Sequence, residues 1–456
     1  MSSDTATRPE AASSDETKLR ACVERLTGGK VIAMERQIRW RPAWFVDVDR
    51  DGEILHIHIR GDRQSDVLPF PDLKREADIL EVLGEHGIPA PKIYGMCEDP
   101  VAIIMETVPG TRDVSTAASD EERRAIARQY IDAIAAMHRL PLEAFAARGI
   151  SIPEGAEAIA LAGVNAYLPL YERHKKRPEP LIEFALAWLR AKVPQHRTRP
   201  SFIAFDAGQF LFENGRITAL YDFEFAMVGD PMTDLATMAM RQSVEHMGDE
   251  ISNLCRYYGE VTGDFDRTVM RYHHTLFATV ACMQFVGAMG NPQPGEPNDV
   301  YTEWDLALRR SLILVLADCI GVELKAPAPV VAPESVNAPL MKMLADAIAQ
   351  IGVADEVQQA SKTAAQRLAE YIARVERYDA ELHRLSADEA VAFLGERCDD
   401  PAQLDARMEA FVQREGAEHS AALIQYFSNQ IERKVQVYGD TAMGISAAHV
   451  RLDPLD

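Results

Sequence analysis

The chain has 456 residues, of which 47% are hydrophobic, and this is enough for two or three folded domains with substantial cores. Its formal net charge of −22 would repel polyanions, which argues against nucleic acid and membranes as partners. The six cysteines contain no CxxC pair, a pattern that favours reduced thiols and a cytoplasmic location over a disulfide framework or a zinc site.

The N-terminal part of the chain begins with a polar segment and continues with predicted strands. Residues 1–16 are small and polar, without a signal-peptide pattern, and are expected to form a disordered tail. Residues 17–27 have the spacing of a short amphipathic helix. The alternating segments 43–49 and 53–60 flank Asp51-Gly52, which predicts a β-hairpin.

One helix and two further strands complete a β-rich lobe, which is expected to cover residues 17–110. The helix is predicted in FPDLKREADILEVLGEHGIP, where apolar residues recur at helical spacing and Gly87 marks the end. The segments KIYGMCED and VAIIMETVPG are predicted as strands.

The pattern then becomes helical, and residues 111–324 are expected to form a larger helical lobe. Its helices are interrupted by FLFENGRITALYDF, which predicts a second hairpin with its turn at Asn214-Gly215. No apolar run reaches the roughly 18 residues that a membrane-spanning helix needs, so no membrane segment is expected.

A change of composition predicts a further domain. Residues 325–339 are rich in Pro and Ala and predict an extended linker. Residues 340–456 are expected to form an all-helical C-terminal domain, which favours a homodimer formed through these helices. Within this region Ser386 to Glu389 has the spacing of a capping box at a helix start.

Several polar residues have the types that phosphoryl transfer needs, namely cations for phosphates and oxygen ligands for Mg²⁺. Arg60 ends a predicted strand and suits phosphate oxygens, and Glu76 on the next helix suits an ion pair with it. Asp222 follows the apolar run ITALY, where a hairpin would hold it for a metal. The alternatives are a surface Arg60, a solvated Glu76 and an Asp222 that caps a turn. Three roles remain open for Glu224: a neighbour of the metal, a residue that supports a metal ligand, and a partner in a salt bridge.

Three segments resemble the aminoglycoside phosphotransferase family: IIMETVPG, the helix ending in AAMHRL, and GRITALYDFEFAMVGDPMTDLA. The most specific is YDFEFAMVGDPMTDLA, which is similar to that family's metal-binding Asp with its Gly-Asp-Pro and Asp-Leu-Ala elements. The resemblance covers roughly residues 20–320 and implies an α+β, protein-kinase-like fold, with a small β-rich lobe, a larger helical lobe and ATP between them.

The resemblance also implies site residues. Residues 103–108 would contact the adenine, with Met105, Glu106 and Val108 as cofactor-binding residues beside Arg60 and Glu76. Asp234 would be a structural residue at a helix start. The acceptor would be a hydroxyl group of a small molecule.

The chain departs from the family in the catalytic loop. The family carries His-Gly-Asp and then, five residues after the Asp, an Asn that binds a second Mg²⁺. Here Phe202, Ile203 and Ala204 match His-Gly-Asp, and Gln209 matches the Asn. Gln still offers a carbonyl oxygen to Mg²⁺, but the three apolar residues can neither accept a proton nor orient a hydroxyl.

Asp206, two positions after Ala204, is the candidate catalytic residue. Two residues can shift a side chain by about 6–7 Å, so Asp206 replaces the lost Asp only in a rebuilt loop. Three roles remain open for Asp206: a relocated base, an added metal ligand beside Asp222, and a loop residue that bonds to its own backbone.

Other polar groups carry less information. His56 and His58 lie on one face of a strand and could bind a metal, although packing or surface roles are commoner. Arg36, Arg39 and Arg41 could reach an anion, although a basic surface strand is the commoner explanation.

The sequence therefore predicts an ATP- and Mg²⁺-dependent phosphotransferase, with Asp206 as the catalytic residue and Gln209 and Asp222 as metal ligands. The alternative is a pseudokinase-like module that binds a nucleotide or metabolite without transfer and signals through its C-terminal helices.

Overall fold

The chain folds into two compact units. The first contains the described residues up to Ile152 together with Gly208–Met227, and the second contains Pro153–Ala207 together with the described residues from Val228. The computed structural model describes residues 8–37, 41–63, 68–293, 296–438 and 447–455.

Strands and helices alternate in the N-terminal part of the chain, and helices predominate towards the C-terminus. The first half of the chain contains α1 (Arg8–Thr27), β1 (Lys30–Arg36), β2 (Ala43–Arg50), β3 (Glu53–Gly61), α2 (Leu73–Glu85), β4 (Ile93–Glu98), β5 (Val101–Glu106), α3 (Asp120–Met137), α4 (Leu142–Ala146), α5 (Ala156–Ala160), α6 (Ala162–His174), α7 (Pro180–Ala191), β6 (Ser201–Ile203), β7 (Phe210–Glu213) and β8 (Arg216–Leu220). The second half contains β9 (Met227–Gly229), α8 (Met232–Gln242), α9 (Ile251–Thr262), α10 (Arg267–Gly290), α11 (Asn298–Ile320), α12 (Ala338–Ala349), α13 (Glu356–Leu394), α14 (Pro401–Glu415) and α15 (Ser420–Tyr438).

An antiparallel sheet in the order β1-β2-β3-β5-β4 forms the centre of the first unit. The predicted hairpin joins β2 to β3, with Arg50 opposite Glu53. Asp51 and Gly52 have φ values of +56° and +88° at the turn. Positive φ at both central residues matches the right-handed twist of the two strands, and Gly52 adopts it without a side-chain clash.

Helix α1 covers the sheet of the first unit through a small apolar core. Leu19 and Val23 of the helix belong to the same buried cluster as Val46, Val48 and Ile57 of the sheet. Each of these five side chains is almost completely removed from water, so this contact is a main source of the stability of the unit.

The helix begins at Arg8, inside the segment 1–16 that was predicted as a disordered tail. Residues 1–7 lie outside the described part of the chain. The prediction missed the start of α1 because the segment 1–16 is polar. Its Ala and Glu residues are nevertheless good helix formers, and the helix continues to the buried Leu19, which anchors it.

The predicted second hairpin, β7–β8, forms in the first unit. Phe210 pairs with Leu220, and Asn214 and Gly215 have φ values of +50° and +74° at the turn. Phe212 forms a bridge to Thr111. The hairpin and residues 111–152 therefore group with the sheet, whereas the predicted boundary placed them with the helical lobe at 111–324.

Helices dominate the second unit. The 24-residue helix α10 is buried along most of its length and packs against α6, α8 and α11. The C-terminal helices join this unit through the pairs α11–α15 and α7–α14.

Within the described ranges, no helix is both long and apolar enough to cross a bilayer. All six cysteines are free thiols.

Residues 322–335 form neither helix nor strand, and α12 begins at Ala338, inside the segment 325–339 that was predicted as a linker. The predicted helix start at Ser386 is wrong, because Ser386 and Glu389 lie inside the continuous helix α13. The Ser386 hydroxyl donates to the carbonyl of Leu382, and Glu389 pairs with Arg433 of α15. The side chain of Ser386 therefore bonds within its own helix, and that of Glu389 makes a tertiary contact.

Stability measurements can distinguish Ser386 from the N-cap of α13, which is Asp355. The side chain of Asp355 accepts from the N–H of Gln358 at 2.8 Å. Asp355→Ala should lower the free energy of unfolding by about 1 kcal/mol. Ser386→Ala should change it by less than about 0.5 kcal/mol, because alanine is the better mid-helix residue. Urea denaturation followed by circular dichroism checks both, and an equal loss in the two variants would restore the capping interpretation.

Candidate active site

Arg60 joins two acidic residues in the first unit. Its Nε donates to Glu76 Oε2 at 2.8 Å, and its Nη2 donates to Asp222 Oδ1 at 2.5 Å. The side chains of Arg60 and Glu76 are 13% and 3% exposed, so their charges are largely removed from water. A buried guanidinium needs carboxylate partners, and Arg60 has two.

Local structure places each of these three side chains. Arg60 is near the end of β3, and Glu76 lies in the first turn of α2, which starts at the N-cap Asp72. Asp222 follows β8 and has a φ of +65°, an uncommon backbone conformation for a residue with a side chain. The N–H of Phe223 donates to Glu76 Oε1 at 3.2 Å, so the helix carboxylate fixes both Arg60 and the backbone next to Asp222.

Two more arginines surround Glu224 in the same unit. Arg41 bonds to Glu224 Oε2, and Arg63 Nη2 lies 3.5 Å from Glu224 Oε1. Arg60 Nη2 is 3.9 Å from Glu224 as well. Of the alternatives for Glu224, the structure shows the salt bridge. Sequence reasoning missed Arg63, which follows β3 without any pattern, and Arg39 lies outside the described residues.

The charges of this cluster shift the pKa values of its acids in opposite directions. Burial raises the pKa of Asp222, but the guanidinium groups of Arg60 and Arg41 outweigh it and hold this pKa below its ordinary value. Burial and the neighbouring Asp222 raise the pKa of Glu224 above its ordinary value. Asp222 therefore stays ionised at neutral pH, and Glu224 is the acid of this pair that takes up a proton first as the pH falls.

A cavity of about 260 Å³ opens beside this cluster, entirely within the first unit. Its lining combines charged residues of the ion cluster with apolar residues of the sheet and of the β7–β8 hairpin. The predicted residues Arg60, Glu76, Asp222, Met105, Glu106 and Val108 all line it, together with Phe45, His58, Leu80, Pro91, Thr107, Gly110, Arg112, Leu211 and Tyr221.

The hairpin register brings the backbone of Gln209 next to the residue that precedes Asp222 in the chain. Because Phe210 pairs with Leu220, Gln209 lies beside Tyr221, whose N–H donates to the Gln209 carbonyl at 3.2 Å. Both side chains offer oxygen atoms, the ligand type that Mg²⁺ prefers. In the described part of the chain no group of three or more His, Cys, Asp or Glu is arranged to hold a metal. Mg²⁺ needs only one or two protein oxygens when phosphates supply others, so this donor set fits it.

Asp206 lies in the second unit and is held by Arg241 of α8. Arg241 Nη2 donates to Asp206 Oδ1 at 2.5 Å, and Arg241 Nε donates to the carbonyl of Ala207 at 3.1 Å. The Asp206 side chain is 20% exposed. The structure thus gives Asp206 an ion pair with α8, a contact that none of its sequence-based alternatives included.

Helix α8 fixes the backbone of the loop that contains Ala204, Phe205 and Asp206. Asp234 is fully buried and accepts from the N–H groups of Ala204 at 3.0 Å and Phe205 at 2.9 Å. Phe205 has a φ of +64°, and its buried ring packs between Tyr167 and Phe277. The loop is therefore held by its backbone and by apolar packing.

Asp234 and Arg241 also share a helix face with Thr237, which accepts from the N–H of Ala207 at 3.1 Å. Positions i, i+3 and i+7 lie on one side of a helix. This polar stripe on α8 is the sequence signal that could have identified Arg241 as the partner of the loop.

The histidines of β3 show no metal arrangement. His56 Nδ1 lies 2.7 Å from Asp47 of the neighbouring strand, and the His58 ring contacts Phe45 with ring centroids 5.4 Å apart. His58 lines the cavity, whereas His56 is exposed.

The central place of Glu76 can be tested by stability. Glu76→Ala removes the acceptor of both Arg60 and the Phe223 N–H and should lower the free energy of unfolding by about 3 kcal/mol or more, because a buried charge loses its partner. Glu76→Gln keeps oxygen and shape and should cost less. Glu85→Ala, on the exposed end of the same helix, should change it by less than about 0.5 kcal/mol. Equal losses for Glu76→Ala and Glu85→Ala in chemical denaturation would contradict this assignment.

Comparison with known proteins identifies related chains. Residues 55–273 match the sequence profile of the APH phosphotransferase enzyme family. Acyl-CoA dehydrogenase family member 10 of Mus musculus is 27% identical over 180 residues, which are 36% of this chain and 16% of that protein. Acyl-CoA dehydrogenase family member 11 of Homo sapiens is 25% identical over 183 residues, 37% of this chain and 23% of that protein. The chain therefore spans less than a quarter of the length of these curated relatives.

A solved structure shares the fold. A protein from Ralstonia eutropha JMP134, described provisionally as an aminoglycoside phosphotransferase, is 18% identical with a TM-score of 0.51. The similarity covers 65% of this chain and 95% of that chain. The predicted α+β, protein-kinase-like fold with additional C-terminal helices is thereby confirmed.

Proposed function

Because residues 55–273 match the sequence profile of the APH phosphotransferase enzyme family, we propose that the chain transfers the γ-phosphoryl group of ATP, with Mg²⁺, to a hydroxyl group of a small molecule. The observation that carries this proposal is the cavity of about 260 Å³ at the Arg60–Asp222 ion pair. It combines a phosphate cation with a metal-binding carboxylate, and phosphoryl transfer depends mainly on such positioning and charge stabilisation.

The proposal assigns roles to the residues of the cavity. Met105, Glu106 and Val108, at the end of β5, contact the adenine, and Arg60 binds phosphate oxygens while Glu76 orients it. Asp222 and Gln209 hold Mg²⁺, which when bound neutralises phosphate charge.

The Arg60–Asp222 ion pair is compatible with these roles. A nucleotide with its metal offers phosphate oxygens to Arg60 and a cation to Asp222. Each partner of the pair therefore gains a new partner of opposite charge, and the buried cluster keeps its charge balance.

The reaction that follows is simple in covalent terms. The acceptor hydroxyl oxygen forms a bond to the γ-phosphorus, and the bond from this phosphorus to the bridging oxygen of ADP breaks, with its electron pair leaving on ADP. The hydroxyl proton passes to a base or to solvent. Asp206 is proposed to orient this hydroxyl and accept its proton, a contribution that is typically about 10²–10⁴-fold in rate.

The metal role predicts a specific binding defect. Wild-type protein should show a larger rise in Tm with ATP and Mg²⁺ than with ATP and a chelator. Asp222→Asn should lose this Mg²⁺-dependent part, because the neutral amide is a weaker ligand, while the exposed control Asp379→Asn keeps it. A full Mg²⁺-dependent rise in Asp222→Asn would refute the role of Asp222.

The catalytic role of Asp206 is tested against its ion pair. Asp206→Asn removes the carboxylate, and Arg241→Gln breaks the same ion pair but keeps the carboxylate. If Asp206 accepts the proton, Asp206→Asn should lower the rate of ADP formation about 10²–10⁴-fold with the Mg-ATP shift retained. Arg241→Gln should lower it much less. Equal losses in both variants would mean that the ion pair only holds the loop.

A second candidate function is a nucleotide- or metabolite-binding module without transfer. It is favoured by the buried apolar residues Phe202, Ile203 and Ala204 and by the engagement of Asp206 with Arg241. A Tm rise with Mg-ATP, with no ADP formed in the presence of a library of small hydroxyl compounds, would support this candidate over the enzyme.

A further inference from the structure

Helix α12 has an unusual exposed face. None of its residues is buried, and it contains Leu340, Met343 and Leu344, which are 63%, 66% and 48% exposed. Ile351, just after the helix, is 56% exposed. Leu340, Met343, Leu344 and Ala347 follow the i, i+3, i+4, i+7 spacing of one helical stripe. Together with Ile351, which follows the end of the helix, they form a surface that we call the outer face.

This outer face is not needed to hold α12 in place. Another side of the helix packs on α13, where Ala338, Met341 and Ala345 line a groove with Ala369 and Ala373. An amphipathic helix packed on one neighbour normally turns polar residues to water on its other sides. A second apolar stripe on the same helix therefore indicates a contact that the single chain does not supply.

The charge distribution of the chain indicates which partner makes this contact. The segment 336–353 contains only two charged residues, Lys342 and Asp346, and these pair with each other at 2.9 Å. The chain has a net charge of −22, so two copies repel each other over most of their surface. A neutral apolar patch is the place where they can meet, and a two-fold contact requires such a self-complementary surface.

We propose that the outer face of α12 binds the same face of a second copy of the chain and forms a homodimer. The four large side chains expose on the order of 400 Å² of apolar surface together. A standard interface buries about 800 Å² per partner, a little more than half of it apolar, so this patch supplies most of the apolar area that such a dimer needs. The two α12 helices cross near Leu344 and Ala347, in the middle of the stripe.

The oligomeric state of the full chain tests this proposal. Sedimentation equilibrium at micromolar concentrations should give twice the mass of one chain. Leu344→Glu places two carboxylates at the two-fold axis and should weaken the dimer at least about tenfold. Ala349→Glu adds the same charge on another side of the same helix and should leave the dimer unchanged. A monomeric wild type, or a Leu344→Glu dimer as tight as the wild type, overturns the proposal.

A cross-link makes the result independent of any folding defect in Leu344→Glu. Ala347→Cys should form an intermolecular disulfide in an oxidised glutathione buffer, because the two copies of this position face each other at the axis. Ala349→Cys, about half a helical turn away, should not. Non-reducing electrophoresis reads out both variants, and equal cross-linking of the two contradicts the proposed face.

Discussion

The ion pairs of Arg60 are the constraint on which the first unit depends. One side chain joins three elements that are distant in sequence: strand β3, helix α2 through Glu76, and the end of the β7–β8 hairpin through Asp222. Removing a guanidinium from water is costly, and the cost is offset only when acceptors are held in place around it. This explains why Glu76 is buried and why it also binds the backbone N–H of Phe223. The same rule accounts for Glu224, which balances the charges of Arg41 and Arg63.

The second unit uses a comparable arrangement around its altered loop. Arg241 holds Asp206, and Asp234 binds the backbone N–H groups of Ala204 and Phe205. Because the backbone contacts do not depend on the side chains at 202–204, these positions can become part of the apolar core while the loop keeps a defined path. Apolar side chains at these positions are therefore compatible with a defined loop shape.

The C-terminal helices contrast with these buried polar networks. Helices α14 and α15 pack on the rest of the second unit, whereas α12 carries apolar residues on two sides. On a strongly acidic chain, the neutral outer face of α12 is a region with a low electrostatic barrier to self-association. Self-association and the proposed chemistry thus involve separate residues, so each can be changed without changing the other.

The sequence by itself determined the hairpins at Asp51-Gly52 and Asn214-Gly215, helix α2 with Glu76 on it, and Asp222 after β8, because turn residues and hydrophobic periodicity act over a few neighbouring positions. The motifs around Asp222 also indicated the α+β, protein-kinase-like fold. Only the tertiary structure decided which charges meet. Asp222 and Arg60 are 162 residues apart in sequence, and the Arg41–Glu224 pair spans 183 residues. No local pattern encodes such pairs, and the same spacing that predicted a cap at Ser386 is used inside α13 for a contact with α15. A charged residue acquires its partner only when the folded chain excludes water from both, and that depends on all the elements that surround them.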